Sequence, residues 1–326
     1  MSKNNILVIG GAGYIGSHMV RLLLENKYTP VVFDNLATGH KRFVPKGVRF
    51  VKGDLRKVQD IERLFKSAKF QAVIHFSAAS LVPESMSDPL KYYDNNVLSF
   101  VYLLQTMRRH KVKNIVFSST AATYGEPKRV PIEEDDPKDP TNTYGRSKLM
   151  MERIVEDAAR AYGDINYIIL RYFNVAGAHP GGQVGECHHP ETHLVPNILK
   201  AVKGEKKALT IFGSDYPTKD GSCVRDYIHV QDVCTAHLLA IRAFAKGIKN
   251  EYFNLGTEDG YSNLEVIAAV ERVTGQKVKY TLGPRRPGDP ATLVASAKKA
   301  KKILGWTPQY GLEDIVRTAW AWESKV

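Results

Sequence analysis

The sequence predicts a doubly wound α/β protein, in which helices cover both faces of a parallel sheet and a smaller mixed α/β domain follows. Three observations predict this fold. Short apolar runs rich in β-branched residues alternate with helical patterns from the first residues onward. A glycine-rich segment lies directly after the first of these runs, and the alternation stops after Asn174. Continuous apolar strands separated by helices are typical of parallel sheets buried on both faces.

The expected strands fill the first half of the chain. In chain order they are NILVI, PVVF, VRFVKG, QAVIHFSA, NIVFSST and INYIILRYF, and a helix follows the first of them. A later helix, VRDYIHVQDVCTAHLLAI, and a later strand, EYFNLGT, are expected to rejoin this sheet. We therefore predict a first domain over residues 1–174, rejoined by residues of about 223–257. A second domain is expected over 175–222 and 258–326, with a ligand cleft between the two.

The composition is that of a globular protein, with 326 residues of which 43% are hydrophobic and 25% charged. No apolar run approaches the roughly 20 residues that span a bilayer, and the N-terminus enters a strand without a cleavage site, so no membrane association is expected. Three widely spaced cysteines fit a reducing compartment, and we expect a cytoplasmic protein. The net charge of +12 is spread along the chain and nucleic-acid motifs are missing, so no nucleic-acid partner is expected.

One short stretch, CHHPETH, could in principle hold a zinc ion. It places Cys187, His188, His189 and His193 close together in the chain. Structural zinc sites usually draw on two separated ligand pairs, and the sequence offers a single cluster. We therefore predict no metal site.

The glycine-rich segment after the first strand reads GGAGYIG. Gly11, Gly13 and Gly16 fit the pattern GxGxxG, and Gly10, Gly13 and Gly16 also fit GxxGxxG. Between a strand and a helix, such glycines permit a tight turn and let backbone N–H groups approach a pyrophosphate. The segment therefore predicts a Rossmann-like dinucleotide site.

The next two strands end in carboxylates that fit the same ligand. Asp34 lies about 20 residues beyond the glycines, where a carboxylate would accept hydrogen bonds from a ribose 2′-hydroxyl and repel a 2′-phosphate. NAD is thus favoured over NADP, although the neighbouring Lys41 and Arg42 leave NADP as an alternative. Asp54, in GDL after the third strand, is expected to meet the adenine amino group.

A tyrosine and a lysine in TYGRSK have helical spacing. Tyr144 and Lys148 would lie one turn apart on one helix face. The preceding strand delivers Ser118, Ser119 and Thr120 to the edge of the sheet that carries the glycine turn. A nearby ammonium and a positively charged nicotinamide would favour the tyrosine phenolate. The arrangement predicts proton transfer coupled to hydride transfer.

Over essentially its whole length the chain resembles the extended short-chain dehydrogenase/reductase family and, within it, the UDP-glucose 4-epimerases. Beyond the glycine turn and YxxxK, the matching segments are DNL at 34–36, VIHFSA, PLKYYDNNV, LRYFNVAGAHP, IFGSDYPTKDGSCVRDYIHVQD, YFNLGT and RRPGD. The resemblance implies that Tyr144 is the catalytic base, that Lys148 holds the nicotinamide ribose and lowers the tyrosine pKa, and that Thr120 hydrogen-bonds the reacting sugar hydroxyl.

The activity that the resemblance implies is 4-epimerisation of UDP-hexoses with NAD as the cofactor. Tyr144 would take the proton of the 4-hydroxyl while the C4 hydride passes to NAD⁺ and later returns to the opposite face of the 4-keto sugar. The implied NAD contacts are Gly10, Gly13, Tyr14, Ile15, Gly16, Asp34, Asn35, Asp54, Leu55, Phe76, Ser77, Asn95, Ser118, Tyr144, Lys148, Tyr172 and Phe173. The implied UDP-sugar contacts are Thr120, Tyr144, Asn174, His193, Leu194, Phe212, Arg225, Tyr227, Arg286, Asp289 and Leu293.

Three positions depart from the pattern of this family. Ser80 stands where a lysine is frequent, and His193 where an asparagine is common. Leu293 stands where many members carry a tyrosine that walls the sugar pocket. Since leucine is smaller and cannot donate a hydrogen bond, we expect room for an N-acetyl group and activity on UDP-N-acetylglucosamine as well.

Related activities on this fold require different groups beside Thr120. Dehydration and decarboxylation are disfavoured because Ala121 and Ala122, which follow Thr120, cannot act as acid or base. A 4-epimerase of UDP-glucuronate or UDP-arabinose and a net nucleotide-sugar oxidoreductase remain alternatives. A non-catalytic NAD-sensing module is a further alternative, although this chain keeps both Tyr144 and Lys148.

The resemblance also bears on assembly. Helices around residues 89–108 and 143–162 carry long apolar faces, and in the family such helices pair into a four-helix bundle between two subunits. We therefore expect a homodimer, with the alternative that these faces only cover the sheet.

Overall fold

The fold is described from a computed structural model, which covers residues 4–206, 209–286 and 289–325. The strands are β1 (Asn5–Ile9), β2 (Thr29–Asp34), β3 (Arg49–Lys52), β4 (Ala72–His75), β5 (Asn114–Thr120), β6 (Asn166–Tyr172), β7 (Asn174–Ala176), β8 (Leu209–Phe212), β9 (Val224–Arg225), β10 (Tyr227–His229), β11 (Glu251–Leu255), β12 (Tyr261–Ser262), β13 (Tyr280–Gly283) and β14 (Thr292–Leu293).

The helices are α1 (Tyr14–Glu25), α2 (Val58–Ser67), α3 (Val82–Ser87), α4 (Pro89–Tyr92), α5 (Ser99–Arg109), α6 (Thr143–Tyr162), α7 (Leu194–Val202), α8 (Val230–Ala245), α9 (Asn263–Thr274), α10 (Lys298–Leu304) and α11 (Leu312–Glu323). A π-helical segment, Tyr93–Leu98, joins α4 to α5, and 3-10 turns cover Lys41–Phe43 and Ala121–Thr123.

Seven parallel strands form the main sheet, in the order β11-β6-β5-β4-β1-β2-β3. The central strands are buried along their whole apolar runs, as expected for a sheet covered on both faces. The strand order reverses between β1 and β4, so a crevice opens at the carboxyl ends of these two strands. The predicted doubly wound Rossmann-like fold is confirmed.

Two layers of helices cover this sheet. On one face, α1 and α8 pack through residues such as Met19, Leu23 and Val233. On the other face, α2, α5 and α6 pack through residues such as Leu64 and Phe100. The glycine turn before α1 and the Tyr144 end of α6 therefore lie at the same edge of the sheet, beside the crevice.

Shorter sheets and the helices α7, α9 and α11 make up the remainder. β7 pairs with β10, β9 lies between β12 and β14, and β8 pairs with β13. α7, α9 and α11 share a separate apolar core. α10 and Trp306 lie within residues 258–326, which are predicted to belong to the second domain. They pack against α8 and β11 in the core of the main sheet. In the described ranges, no helix is both long and apolar enough to span a bilayer.

Candidate active site

The turn between β1 and α1 leaves space for a ligand because glycines line it. Gly10 has a φ of +76°, which side chains with a Cβ rarely adopt. A Cβ on Gly16 would lie 2.1 Å from the carbonyl oxygen of Gly10. α1 begins after Gly13 with no acidic side chain in its first turn, so its free N–H groups can meet a diphosphate. The turn therefore fits the pyrophosphate of NAD.

A cleft of about 270 Å³ continues from this turn along the ends of β2 and β3. Asp34, Asn35, Asp54, Leu55, Ser77 and Asn95, six of the residues predicted to contact NAD, line it. Ile9, Phe33 and Gly53 also line the cleft and were missed, although each directly precedes a predicted contact or the glycine turn. The lining of the cleft, which combines carboxylates, amides and apolar side chains, fits an adenosine moiety.

Asp34 is held in position by the backbone around it. Its two carboxylate oxygens accept the N–H groups of Ala12 at 2.9 Å and Leu36 at 2.8 Å. Burial raises the pKa of this carboxyl, and the two hydrogen bonds oppose the rise. Each oxygen retains a free lone pair, so the carboxylate can also accept ribose hydroxyls.

Asp54, which is predicted to meet the adenine amino group, pairs with Arg56. The guanidinium donates to both carboxylate oxygens, at 3.1 and 2.7 Å, and lowers the pKa of Asp54 to about 2. Asn35 also donates to it at 3.4 Å. Asp54 therefore lines the cleft as a carboxylate whose negative charge is already balanced by Arg56 and hydrogen-bonded by Asn35.

Three further predicted cofactor contacts pack close to the turn. Tyr14 is buried and donates from its hydroxyl to the Gly177 carbonyl oxygen at 2.5 Å. Ile15 packs against the core beneath α1. Phe76 follows β4 and packs its ring against that of His237, with centroids 4.7 Å apart.

The predicted catalytic residues meet at the carboxyl end of β5. Burial raises the pKa of Tyr144 to about 12, and the neighbouring side chain of Thr120 opposes this rise. Lys148 is 3% exposed, and its Nζ donates to the main-chain oxygen of Ser118 at 2.9 Å. Burial lowers the pKa of Lys148 to about 7, against the opposing charge of Glu152.

These pKa directions differ from the sequence-based expectation. A lowered tyrosine pKa was expected from the lysine, whereas burial of both side chains raises the pKa of Tyr144 and lowers that of Lys148 in the protein alone. Desolvation disfavours the charged form of each group. The phenolate therefore needs a further positive charge close by, which a bound nicotinamide carries.

Ser118 is fixed from two sides. The Nδ1 of His237 donates to the Val233 carbonyl oxygen at 2.8 Å, which leaves Nε2 to accept from the Ser118 hydroxyl, also at 2.8 Å. Burial raises the pKa of Tyr172, and the neighbouring side chain of Ser118 opposes this rise. The serine therefore supports the floor of the site through its side chain and anchors Lys148 through its carbonyl group.

The predicted diphosphate-binding groups cluster on β9 and the loop before β14. Arg225 is 7% exposed and pairs with Asp289. The Arg286 guanidinium lies 4.1 Å from the ring centroid of Phe212. The structure thus brings these four residues together, and it leaves Arg286 exposed to solvent, where it can reach an anionic ligand.

Leu293 lies beside the catalytic strand. It packs, together with Phe173, against a small apolar cluster of Ala121, Tyr124 and Ile132. Since Ala121 directly follows Thr120, the cluster against which Leu293 packs adjoins the position expected for the sugar.

Of the four remaining predicted substrate contacts, two pack in or against the apolar core of the smaller domain, one starts a strand and one pairs with glutamates. Asn174 starts β7, and Tyr227, its partner on β10, is 2% exposed within the second core. Leu194 opens α7 and packs against the same core. His193 pairs through Nδ1 with Glu186 at 2.7 Å and Glu191 at 3.0 Å, a contact that the sequence analysis did not predict.

A buried polar network beneath the site was also missed. Ser119 donates to Glu152 at 2.5 Å, Glu152 pairs with Arg171, and Arg171 donates to the Tyr124 hydroxyl at 2.8 Å. The hydroxyl in turn donates to Asn254 at 2.7 Å. The network joins β5, α6, β6 and β11, so it fixes the strand and the helix that carry Thr120, Tyr144 and Lys148.

Comparisons with known proteins agree with this geometry. A model of the NAD dependent epimerase/dehydratase family matches residues 6–256. The UDP-glucose 4-epimerase of Lacticaseibacillus casei is 54% identical over 97% of this chain and 96% of its own length. The crystal structure of UDP-glucose 4-epimerase from Brucella ovis in complex with NAD has a TM-score of 0.94 at 45% identity, with 97% of each chain covered. A UDP-Glc/GlcNAc 4-epimerase from Campylobacter jejuni has a TM-score of 0.86 at 42% identity and covers 99% of this chain and 100% of its own.

Proposed function

Since the chain belongs to the NAD dependent epimerase/dehydratase family, we propose that it is an NAD-dependent 4-epimerase that interconverts UDP-galactose and UDP-glucose. The observation that carries the proposal is the buried Lys148, whose Nζ donates to the Ser118 main-chain oxygen at the carboxyl end of β5, one helical turn from Tyr144 and at the same edge of the sheet as the glycine turn. A proton acceptor there lies next to the site for a hydride acceptor, as sugar oxidation requires.

In the proposed reaction, Tyr144 transfers the proton, and Thr120 and Lys148 assist it. Bound NAD supplies the acceptor for the C4 hydride and returns it. Tyr144 takes the proton of the 4-hydroxyl, which Thr120 also hydrogen-bonds, and gives the proton back after the sugar has turned over. Lys148, held by the Ser118 carbonyl group, adds positive charge next to the tyrosine in its protonated form. Because proton and hydride both return, the reaction has no net redox change.

Arg225 and Arg286 are the groups that we assign to the diphosphate. A guanidinium can meet a phosphate through two parallel hydrogen bonds. Arg225 is already directed by its ion pair with Asp289, whereas Arg286 is exposed and lies over Phe212, the residue assigned to uracil. Binding through the diphosphate leaves the hexose free to present either face to Tyr144.

We extend the substrate range to UDP-N-acetylglucosamine. The half-buried Leu293 packs beside Ala121 and leaves the pocket without the tyrosine that many members of the family carry. The similarity to the Campylobacter jejuni UDP-Glc/GlcNAc 4-epimerase supports this extension.

The test of the main activity is an incubation of the purified protein with UDP-galactose and no added nucleotide. Chromatography would follow UDP-glucose while absorbance near 340 nm follows the bound dinucleotide. We expect equilibration of the two sugars without accumulation of reduced nucleotide, and a rate lower by about 10²–10⁴-fold for Tyr144→Phe. Tyr162→Phe, an exposed tyrosine on the same helix, is the matched control and should keep the wild-type rate.

Two other outcomes would contradict the epimerase. Stoichiometric reduced nucleotide without UDP-glucose would indicate a net oxidoreductase. No turnover of any UDP-hexose, with NAD present in the denatured protein, would favour a 4-epimerase of UDP-glucuronate or UDP-arabinose, or an NAD-sensing module.

We also propose that the protein is a cytoplasmic homodimer. Three apolar side chains, one on α4, one at the end of the π-helical segment and one on α6, are exposed to solvent in the single chain. Leu90 is 77%, Leu98 40% and Met150 42% exposed. Pairing of these helices with a second copy would bury them. Light scattering should give twice the 36.4 kDa chain mass, and a mass of one chain would reject the dimer. Cell fractionation would test the location.

A further inference from the structure

Four potential metal ligands converge in the loop before α7. They are Glu186, His188, Glu191 and His193, and one ligand atom of each lies within 4.8 Å of all the others. This set differs from the cysteine and histidines that the sequence suggested, because the loop directs two glutamates inward and leaves His189 exposed. The cluster lies outside the glycine turn and the Thr120 centre, and one member, His193, is also a predicted UDP-sugar contact.

The distances within the cluster match a tetrahedral ion. Zinc bound at about 2.0–2.1 Å by four ligands places neighbouring ligand atoms about 3.3 Å apart. Glu186 Oε1 lies 3.0 Å from His188 Nδ1 and 2.7 Å from His193 Nδ1. The oxygens of Glu191 lie 3.0 Å from His193 Nδ1 and 3.8 Å from His188 Nδ1. Three of these values are shorter than the tetrahedral edge and the fourth, which involves the other oxygen of Glu191, is longer, so the side chains would have to move apart slightly to admit an ion.

The charges in the cluster also favour a divalent cation. The side chains of Glu186 and Glu191 are 7% and 4% exposed, so both carboxylates are withdrawn from water. Within the described ranges, every ion pair of these two glutamates is made with His188 or His193. Although burial opposes it, the charges of Glu186 and Glu191 raise the pKa of His193 to about 10 in the protein without an ion, so a divalent cation would bind in place of the proton on His193.

We propose that Glu186, His188, Glu191 and His193 bind one zinc ion. Two imidazole nitrogens favour zinc over magnesium and calcium, which prefer oxygen ligands at larger coordination numbers. Four protein ligands fill a tetrahedral shell and leave no open position, so the ion is structural and takes no part in the epimerase chemistry.

The position of the loop explains what such an ion would stabilise. The Trp322 indole donates to the Glu186 carbonyl oxygen at 2.9 Å, which ties the loop to α11. His40, beyond β2, contacts the Cys187 carbonyl oxygen at 2.9 Å. The His188 ring also lies edge-on to Tyr14 at 6.3 Å. Zinc would therefore fasten the segment that links the nucleotide-binding turn to α7.

Tag-free protein, stripped with a chelator and exchanged into a non-chelating buffer at pH 7.5, would be titrated with zinc chloride by calorimetry. We expect one zinc ion per chain in the wild type. His188→Ala and Glu191→Gln should each weaken the affinity at least tenfold, and Glu191→Gln keeps the acceptor for the N–H groups of Thr192 and His193. His189→Ala, whose side chain is exposed next to the cluster, is the matched control and should bind as the wild type does.

Thermal unfolding and a spectroscopic probe give independent readouts. Zinc should raise the melting temperature of the wild type and of His189→Ala but not of His188→Ala, because an ion stabilises only the state that binds it. Cobalt(II) should give a tetrahedral-type visible spectrum in the wild type that His188→Ala lacks, while circular dichroism shows that all variants fold. Zinc binding that is absent from the wild type, equal in His188→Ala, or lost in His189→Ala would overturn the assignment.

Discussion

Glu152 on α6 and Arg171 on β6 form a buried ion pair beneath the candidate active site, with Nη2–Oε2 at 2.6 Å and Nε–Oε1 at 2.9 Å. Both side chains are 1% exposed. The carboxylate also accepts from Ser119, the neighbour of Thr120, and lies one helical turn beyond Lys148. The pair therefore couples the register of α6 to that of β5, the two elements that carry the proposed catalytic groups.

Removing one partner of this pair should be strongly destabilising. Arg171→Met keeps the approximate length of the side chain but leaves the Glu152 carboxylate buried without its cation. We expect a loss of about 3–5 kcal/mol in the free energy of unfolding, measured by urea denaturation. Arg129→Met is the matched control, since Arg129 makes three ion pairs at the surface, and its loss should be far smaller. Equal losses in the two variants would contradict the importance of burial.

The two parts of the molecule differ in how far the sequence predicts them. The main sheet, the glycine turn and the Tyr144–Lys148 pair are local patterns of strand, turn and helix, and the chain itself places them in order. The Glu152–Arg171 network joins residues from four elements far apart in sequence, and no local pattern indicates which polar side chains are buried together. Only the packing of α6 on the sheet brings them into contact.

In the loop before α7, too, the sequence does not indicate which side chains come together, although these residues are close in the chain. Proximity in sequence suggested Cys187 and His189 as partners of His188 and His193. The path of the backbone instead turns His189 outward and brings Glu186 and Glu191 inward. Spacing alone does not fix side-chain direction in an irregular loop.

Lys148 should reduce the stability of the nucleotide-free protein in a pH-dependent way. Burial lowers its pKa from 10.5 to about 7, so between these two values the unfolded chain binds more protons than the folded one. The destabilisation of the folded wild type by Lys148 is therefore largest below pH 7. It disappears as the pH rises towards 10.5.

Urea denaturation of the wild type and Lys148→Met, both freed of nucleotide, would measure this effect. Lys148→Met should be the more stable protein at pH 7, and its advantage should shrink by about 3 kcal/mol at pH 9.5. The same variant should lose epimerase activity at both pH values. An advantage that does not change with pH would show that Lys148 is not buried as a titrating group.

Gly16→Ala should abolish nucleotide binding. The added Cβ would lie 2.1 Å from the Gly10 carbonyl oxygen and 2.8 Å from Gly11 Cα, both backbone atoms of the turn. Since backbone cannot rotate away as a side chain does, the turn must open. We expect the NAD released from denatured protein to fall at least tenfold. Gly311→Ala, whose Cβ would meet no atom within 4 Å, should retain wild-type NAD content.

Leu293 should determine whether an N-acetylated sugar is accepted. It packs with Phe173 against the cluster of Ala121, Tyr124 and Ile132, which adjoins Thr120, and we expect a larger side chain there to extend towards the sugar. Leu293→Tyr should reduce kcat/KM for UDP-N-acetylglucosamine at least tenfold while changing that for UDP-glucose by less than about threefold, because the extra ring fills space that only the acetyl group needs. Leu293→Met, which conserves volume, is the control and should keep both activities. Parallel loss of both substrates in Leu293→Tyr, with the fold intact by circular dichroism, would mean that the position supports the whole site and does not select the substituent at C2.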